Sequence, residues 1–318
     1  MNWPTYVDPD NGEVLQMHDD CLVTPSGNKY LVDNNIARFV ESDSYSTGFG
    51  VQWIKYLKTQ LDSFTGYPIS EDRLKLAVGE LIWENLSDGL VLEAGCGAGR
   101  FTEVLLNRSA NVMSVDLSKA VEANQQNFPQ SEQHRIIQAD ITRLPFQREQ
   151  FDIALCLGVV QHTPVPEETI RSLYNQVRKG GYLVFDHYHY SWYVYTCIGA
   201  VIARQILKRL DAGLSLKITE KLANLLLPIH KRFSGSRLPR VILERISPIK
   251  SYYGRFPIEV PDSILFSWSV LDTHDGLTDW YKHTRNKSEI REFLSELGAI
   301  DIHCEYGMNG VVARCRKS

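Results

Sequence analysis

The stretch Val91-Leu92-Glu93-Ala94-Gly95-Cys96-Gly97-Ala98-Gly99-Arg100 joins an apolar run to a segment of helical periodicity through three alternating glycines. Glycine at such a junction permits positive φ, and it lets a ligand lie directly on the backbone at a helix N-terminus, where unpaired N–H groups point outward. The same pattern also arises in a tight strand-to-helix turn that holds no ligand. A lone glycine triplet does not separate the two readings, so the flanking sequence has to.

Working outward, Leu90 to Ala94 reads as a short apolar strand and Phe101 to Arg108 as the helix after the turn. Asn111 to Val115 is the next strand, ending at Asp116, and Ser118 is placed to cap a helix that runs to Asn127. His134 to Gln138 and Phe151 to Leu157 are further strands. Pro164 and Pro166 mark the start of a helix from Glu167 to Arg178, Lys179-Gly180-Gly181 stops it, and Tyr182 to Phe185 is a fifth strand. After a long interruption, Lys287 to Leu297 is an amphipathic helix ending at Gly298, followed by strands near Ile300 to Glu305 and Gly310 to Cys315. This alternation predicts an α/β fold, doubly wound, with a seven-stranded and mostly parallel sheet.

The chain divides into four stretches. Residues 1–70 are rich in turn formers such as Pro9-Asp10-Asn11-Gly12 and Pro25-Ser26-Gly27-Asn28, and they predict a small extension of short strands and loops ending in a capping helix around Gly50 to Leu61. Residues 71–187 form the core, and 286–318 return to it with the last helix and two strands. The interruption between them, 188–285, is too long for a plain connection and predicts a helical lid after strand five. Between Tyr188 and Ile258 stand twelve Lys/Arg against three Asp/Glu, a net +9 inside a chain of net −4.

That overall charge gives no general footprint for nucleic acid. Six cysteines are scattered without a C-x-x-C pair, so neither a disulfide framework nor a metal site is expected. The first residues, Asn2, Trp3 and Pro4, carry no signal-peptide pattern, and a reducing cytoplasm is the expected compartment. The longest apolar run, Trp192 to Ala203, is about 12 residues, short of the roughly 20 that span a bilayer.

Asp116 ends the second strand, 23 residues after Glu93. A carboxylate there accepts hydrogen bonds from ribose hydroxyls, in a dinucleotide site as in any nucleoside site. Charge favours the second: a pyrophosphate is repelled by Glu93 at the mouth of the loop, no P-loop lysine is present, and a sulfonium with a free amino group tolerates carboxylates. The third glycine also follows the second by two residues, where the dinucleotide fingerprint needs three.

Glu93-Ala94-Gly95-Cys96-Gly97-Ala98-Gly99 resembles the first motif of class I S-adenosylmethionine-dependent methyltransferases, of the type 11/12 kind. Asp116 and the following Leu117 resemble the ribose-binding position. Ala139-Asp140-Ile141 with Leu144-Pro145-Phe146 resembles the adenine segment, and Phe151-Asp152-Ile153-Ala154 to Leu157-Gly158-Val159-Val160-Gln161-His162 resembles the strand and loop beside the methionine moiety. The resemblance covers about residues 85–187 and, more weakly, 286–316. It implies a cofactor site built from Glu93, Ala94, Gly95, Gly97, Asp116, Leu117, Asp140, Ile141, Leu157 and Val159. Tyr30 to Val40 resembles the last strand of the zinc-ribbon-like module that opens many small-molecule and lipid-pathway members. Only Cys21 remains of its paired cysteines, so no metal is implied. The helix after it resembles the one that packs over the cofactor, which brings Gln52, Trp53 and Arg73 toward the methionine carboxylate; ordinary helix packing explains Trp53 equally well.

Methyl transfer to a hydroxyl benefits from a general base, and histidine suits neutral pH. Ligands bind outside the carboxyl ends of strands in open α/β sheets. That rule favours His187 as the base, with His162 and Tyr188 beside it, and groups Asp186 and His189 with them. The segment Asp272 to Tyr281 has the content to line an acceptor pocket from the lid side, although a capped surface turn has the same composition. The expected acceptor is a small molecule, lipophilic or of natural-product type, with the basic lid meeting a membrane surface or a lipid-like substrate. Two alternatives stand. One is RNA or other nucleic-acid methylation, opposed by Leu157-Gly158-Val159-Val160 in the place of an N-P-P-Y-like tetrapeptide. The other is a non-catalytic cofactor-binding subunit.

Overall fold

The computed structural model describes residues 3–40, 47–87, 89–191, 196–255, 260–307 and 309–318. Its core is built on β5 (Leu90–Ala94), β6 (Asn111–Asp116), β7 (His134–Gln138), β8 (Phe151–Cys156) and β9 (Val177–His187), with β10 (Ile300–Gly307) and β11 (Gly310–Arg316) at one side. β7, β6, β5, β8 and β9 are parallel neighbours in that order, and β11 lies antiparallel between β9 and β10. These are the seven expected strands. Every residue of β5 is buried, as a parallel strand covered on both faces requires.

Among the described residues the sheet nevertheless has eleven strands, not seven. β1 (Gln16–His18), β2 (Cys21–Val23), β3 (Lys29–Asp33) and β4 (Ile36–Arg38) form antiparallel pairs, and β4 then joins β7 in parallel, Ala37 opposite Ile137. The N-terminal zone therefore continues the core sheet. It covers an edge at β7 that would otherwise expose unpaired N–H and C=O groups. Short turn-bracketed segments announce strands but not the edge they seek, which is why the sequence leaves this open.

Helices cover both faces. α1 (Thr47–Lys55), α2 (Asp62–Thr65), α3 (Ile69–Glu84), α4 (Arg100–Asn107), α5 (Ala120–Asn127) and α6 (Pro166–Gln176) precede the insertion. α3 and α4 pack on one side of the sheet around Val91, Val112 and Val184, and α6 packs on the other around Leu92, Met113 and Phe185. α1 ends at Lys55, short of the expected Leu61. α6 stops at Gln176, two residues before the expected end, because fully buried Val177 turns extended to pair with Phe151. Lys179-Gly180-Gly181 thus lies inside β9.

The insertion holds α7 (Ile198–Leu207), α8 (Ala212–Phe233), α9 (Arg237–Ile246) and α10 (Asp262–Thr278), and α11 (Lys287–Glu296) leads back to the sheet. Leu216, Ala223, Leu227, Ile249 and Val270 form a small core of their own, with Val51 and Tyr56 of the N-terminal zone packed on it. Trp192 and the three residues after it, part of the apolar run noted above, lie outside the described residues. Gly199 fixes α7 on α9, since a Cβ there would sit 2.0 Å from the Ile246 carbonyl oxygen. Gly199→Val should destabilise the insertion by about 1–3 kcal/mol, the cost of overpacking. A lower urea midpoint with new proteolytic cleavage inside 196–255 is the expected result.

Candidate active site

The loop after β5 is shaped by glycines that no other residue replaces without displacement. Gly95 has φ +79°, and a Cβ there would meet Val159 Cγ2 at 2.2 Å; Gly99 has φ +96°, and a Cβ there would meet the Phe128 ring at 2.7 Å. The chain thereby passes tightly over the carboxyl ends of β5 and β8 and enters α4. Asp116, at the end of β6, accepts hydrogen bonds from Ser118 N (2.8 Å), Ser118 Oγ (2.7 Å) and Gly97 N (3.0 Å). Asp140 caps a single 3-10 turn, Ile141–Arg143, with Oδ1 accepting from Thr142 N (2.7 Å) and Thr142 Oγ1 (2.7 Å).

A cavity of about 210 Å³ opens at these strand ends. Gly95, Gly97, Asp116, Leu117, Asp140, Ile141, Leu157 and Val159 line it, as do Trp53 and Arg73. His162, Tyr188, Lys250, Asn309 and, from α10, Leu271, Asp272 and Asp275 also line it. The Asp272 to Tyr281 segment is helical as far as Thr278, so the insertion does contribute to the cavity wall.

His162 Nδ1 lies 3.1 Å from the Tyr281 carbonyl oxygen and 3.2 Å from Asp279 Oδ2, and its Nε2 lies 3.3 Å from the Tyr188 hydroxyl. Asp279 is buried, and burial alone would push its carboxyl up. The His162 hydrogen bond and the charges of Lys282 and Arg204 outweigh this and hold it below the usual range. Burial raises the Tyr188 phenol well above its ordinary value, and aspartates 275, 279 and 272 add to the shift.

Residues 92–185 match a family model described as a methyltransferase domain. A ubiquinone biosynthesis O-methyltransferase of Pseudomonas fluorescens is 31% identical over 131 residues, 39% of this chain and 56% of that protein. One of Coxiella burnetii is 32% identical over 114 residues, 35% of this chain and 49% of that protein. The chain therefore spans about half the length of the curated relatives it matches. Among solved structures, human N-acetylserotonin methyltransferase superposes with a TM-score of 0.46 at 13% identity, covering 88% of this chain and 60% of that one. Over residues 92–185 the chain is thus similar to methyltransferases.

Four expected positions do not face the cavity. Ala94 ends β5 and is buried in the core. Gln52 is buried with its Oε1 against His274 Nδ1 of α10, because α1 turns this face toward the insertion and leaves Trp53 on the cavity. His187 is fully buried, its Nδ1 donating to the Tyr188 carbonyl (2.9 Å), and burial lowers its pKa to about 4. The reason is the pleat: β9 runs on to His187, so Asp186 and His187 point to opposite faces of the sheet. The face that reaches the site belongs to Asp186, whose carboxylate accepts from Gly158 N (2.6 Å), Arg73 Nη2 (2.6 Å) and Asn309 Nδ2 (3.3 Å).

The fourth is Glu93. It is almost wholly buried behind the glycine loop rather than at its mouth, accepting from Thr102 Oγ1 (2.5 Å) and sharing a hydrogen bond with Ser114 Oγ (3.0 Å). Beside the glycine loop, the carboxylates that line the cavity are Asp116 and Asp140. Ser114 Oγ also lies 3.0 Å from His134 Nε2, and His134 Nδ1 lies 3.0 Å from the Phe128 carbonyl oxygen. Only Nδ1–H satisfies that carbonyl, and burial keeps His134 neutral, with a pKa lowered to about 4. The Ser114 hydroxyl, with one proton to give, stands between the Glu93 carboxyl and His134 Nε2. Burial raises the Glu93 pKa to about 7.

The cavity residues Lys250 and Asn309 have no local signal in the sequence. Asp272 and Asp275 have one, a spacing of three that places both on one helix face.

Glu93 is protonated more readily folded than unfolded, so its contribution is complete below about pH 4.5 and is lost as pH rises through about 7. Glu93→Gln cannot ionise. The stability difference between native protein and this variant should shift toward the variant by on the order of 3 kcal/mol from pH 4 to pH 9. Paired denaturation curves measure it, and His134 titration largely cancels in the difference.

Proposed function

We propose that this protein transfers a methyl group from S-adenosylmethionine to a hydroxyl oxygen of a small-molecule acceptor. One observation carries the reading: a single cavity is lined both by a glycine loop flanked by Asp116 and Asp140 and by a histidine and a tyrosine. Asp116 spends three of about four carboxylate acceptor positions within the protein and Asp140 two, which leaves both able to take ribose or adenine-side donors. The matched relatives are named O-methyltransferases, in keeping with oxygen as the acceptor atom.

S-adenosylmethionine supplies, when bound, a sulfonium methyl with an activated leaving group, so that the S–CH3 bond breaks as O–CH3 forms. Trp53 and the glycine loop position that group, which is most of the catalytic task in an in-line displacement. The base role falls to His162 in place of His187. With Nδ1–H held on the Tyr281 carbonyl, the Nε2 lone pair faces the cavity beside the Tyr188 hydroxyl and takes the acceptor's proton; the nearby Asp279 carboxylate stabilises the imidazolium that results.

With labelled cofactor and fractionated cell extract, label should appear in the small-molecule fraction. Label in RNA overturns the acceptor class, and calorimetric binding without turnover on any fraction favours a non-catalytic subunit. His162→Gln should lower kcat by about 100-fold or more while cofactor affinity stays within about twofold.

The outer face of the insertion supports contact with a membrane surface. Ile198, Ile202 and Ile206 on α7 and Leu238, Ile242 and Ile246 on α9 are each more than half exposed, and Gly199 packs the two helices together. Lys208, Arg209, Arg237, Arg240 and Arg245 accompany these stripes, and exposed Trp280 lies under Lys208. Apolar stripes edged by cations suit anionic lipid headgroups. No helix among the described residues is long and apolar enough to cross a membrane. Co-sedimentation with phosphatidylglycerol vesicles, lost in the Ile242→Glu, Ile246→Glu double variant, is the expected result; equal recovery with and without vesicles refutes it.

A further inference from the structure

On the methyl-transfer reading, the cavity residues outside the cofactor motifs form the acceptor wall. Leu271 is its apolar contributor, and the rest are groups that donate or accept hydrogen bonds: His162, Tyr188, Asn309, Lys250, Asp272 and Asp275. Two of the charged groups are uncommitted. Neither the Asp275 carboxylate nor the Lys250 ammonium has a hydrogen-bond or ion-pair partner within 4 Å among the described residues, whereas Asp272 accepts from the Tyr252 hydroxyl. Both uncommitted groups are nonetheless held in place. Asp275 sits on α10 one turn from Asp272, and the Lys250 backbone N–H donates to Thr273 Oγ1 (2.9 Å), which pins its chain to the same helix. Both Lys282 and Lys250 approach this helix at Gly276, where a Cβ would lie in ordinary contact with them, 3.9 Å from Lys282 Nζ and 4.0 Å from Lys250 Cε.

A wall of this kind selects by donor and acceptor sense. A protonated amine only donates; Asp272 and Asp275 welcome it, but Lys250 and nearby Lys282 oppose it. A carboxylate or phosphate only accepts and meets the reverse conflict. A simple phenol or catechol carries only one or two hydroxyls and leaves the remaining buried polar groups of this wall without partners. A neutral molecule with several hydroxyls satisfies both kinds, because each hydroxyl gives one hydrogen bond and takes two.

Resting on the methyl-transfer reading above, we propose that the acceptor presents a neutral polyhydroxylated ring of the sugar class. Asp275 and Lys250 grip the hydroxyls beside the one that is methylated, and His162 receives the proton of that one. Asp275 and Lys250 are specificity residues: they hold the ring in register and take no part in bond making.

The test uses the full chain with methyl-labelled S-adenosylmethionine and three separate probes: a mixture of methyl glycosides of hexoses and 6-deoxyhexoses, a catechol, and a primary alkylamine. Label in the glycosides is the expected result. Asp275→Asn and Lys250→Met should then each raise the KM for the labelled glycoside roughly tenfold or more, the loss expected for a hydrogen bond to a charged group. Their kcat should stay within about threefold, and cofactor affinity by calorimetry should not move. Label in the catechol or the amine, with none in the glycosides, overturns this inference and leaves methyl transfer standing. Unchanged KM in both variants also overturns it. Failure to bind S-adenosylmethionine at all overturns both readings together.

Discussion

Asp186 ties the site to the fold. It is buried at the end of β9 and binds three separate pieces of chain at once: the Gly158 amide after β8, the Arg73 guanidinium of α3 and the Asn309 amide in the turn between β10 and β11. Removing one member of a buried ion pair typically costs about 3–5 kcal/mol, because the other charge is left without compensation. Here the cost would also be geometric, since Gly158 and Arg73 both face the cavity. The last hairpin, remote in sequence, is drawn to the site by the same carboxylate.

The carboxyl groups around the glycine loop divide by environment. Glu93 shares its hydrogen-bond chain with Thr102, Ser114 and His134, out of reach of solvent, and holds its proton up to about pH 7. Asp116 opens on the cavity and accepts three hydrogen bonds from the protein, including two backbone amides. The first group braces the strand, and the second presents negative charge to a ligand. A nearby pair of acidic side chains thus performs two tasks through burial alone.

Much of the domain is local and was legible for that reason. The glycines, Asp116, Asp140, Leu157 and Val159 occupy the turns that directly follow strands, where fold class dictates which residues face a ligand. His187 and Gln52 failed because their orientation depends on quantities that a short window does not contain. For His187 the deciding quantity is how far β9 extends, since one residue more or less reverses the face. For Gln52 it is the rotation of α1 about its own axis, set by packing against α8 and α10 of the insertion.

Taken alone, the sequence determined the doubly wound core, the order of its strands along the chain, the cofactor loop and the presence of a basic helical insertion. Tertiary structure alone decided that the first four strands extend the sheet, that His162 rather than His187 meets the cavity, and that α10 lends its aspartates to the wall. The physical reason is one of range. Backbone conformation and periodicity are written within a few residues, whereas edge pairing, side-chain parity at a strand end and the partners of a buried charge are settled between segments as much as 100 residues apart or more, such as Arg73 with Asp186 and His162 with Tyr281.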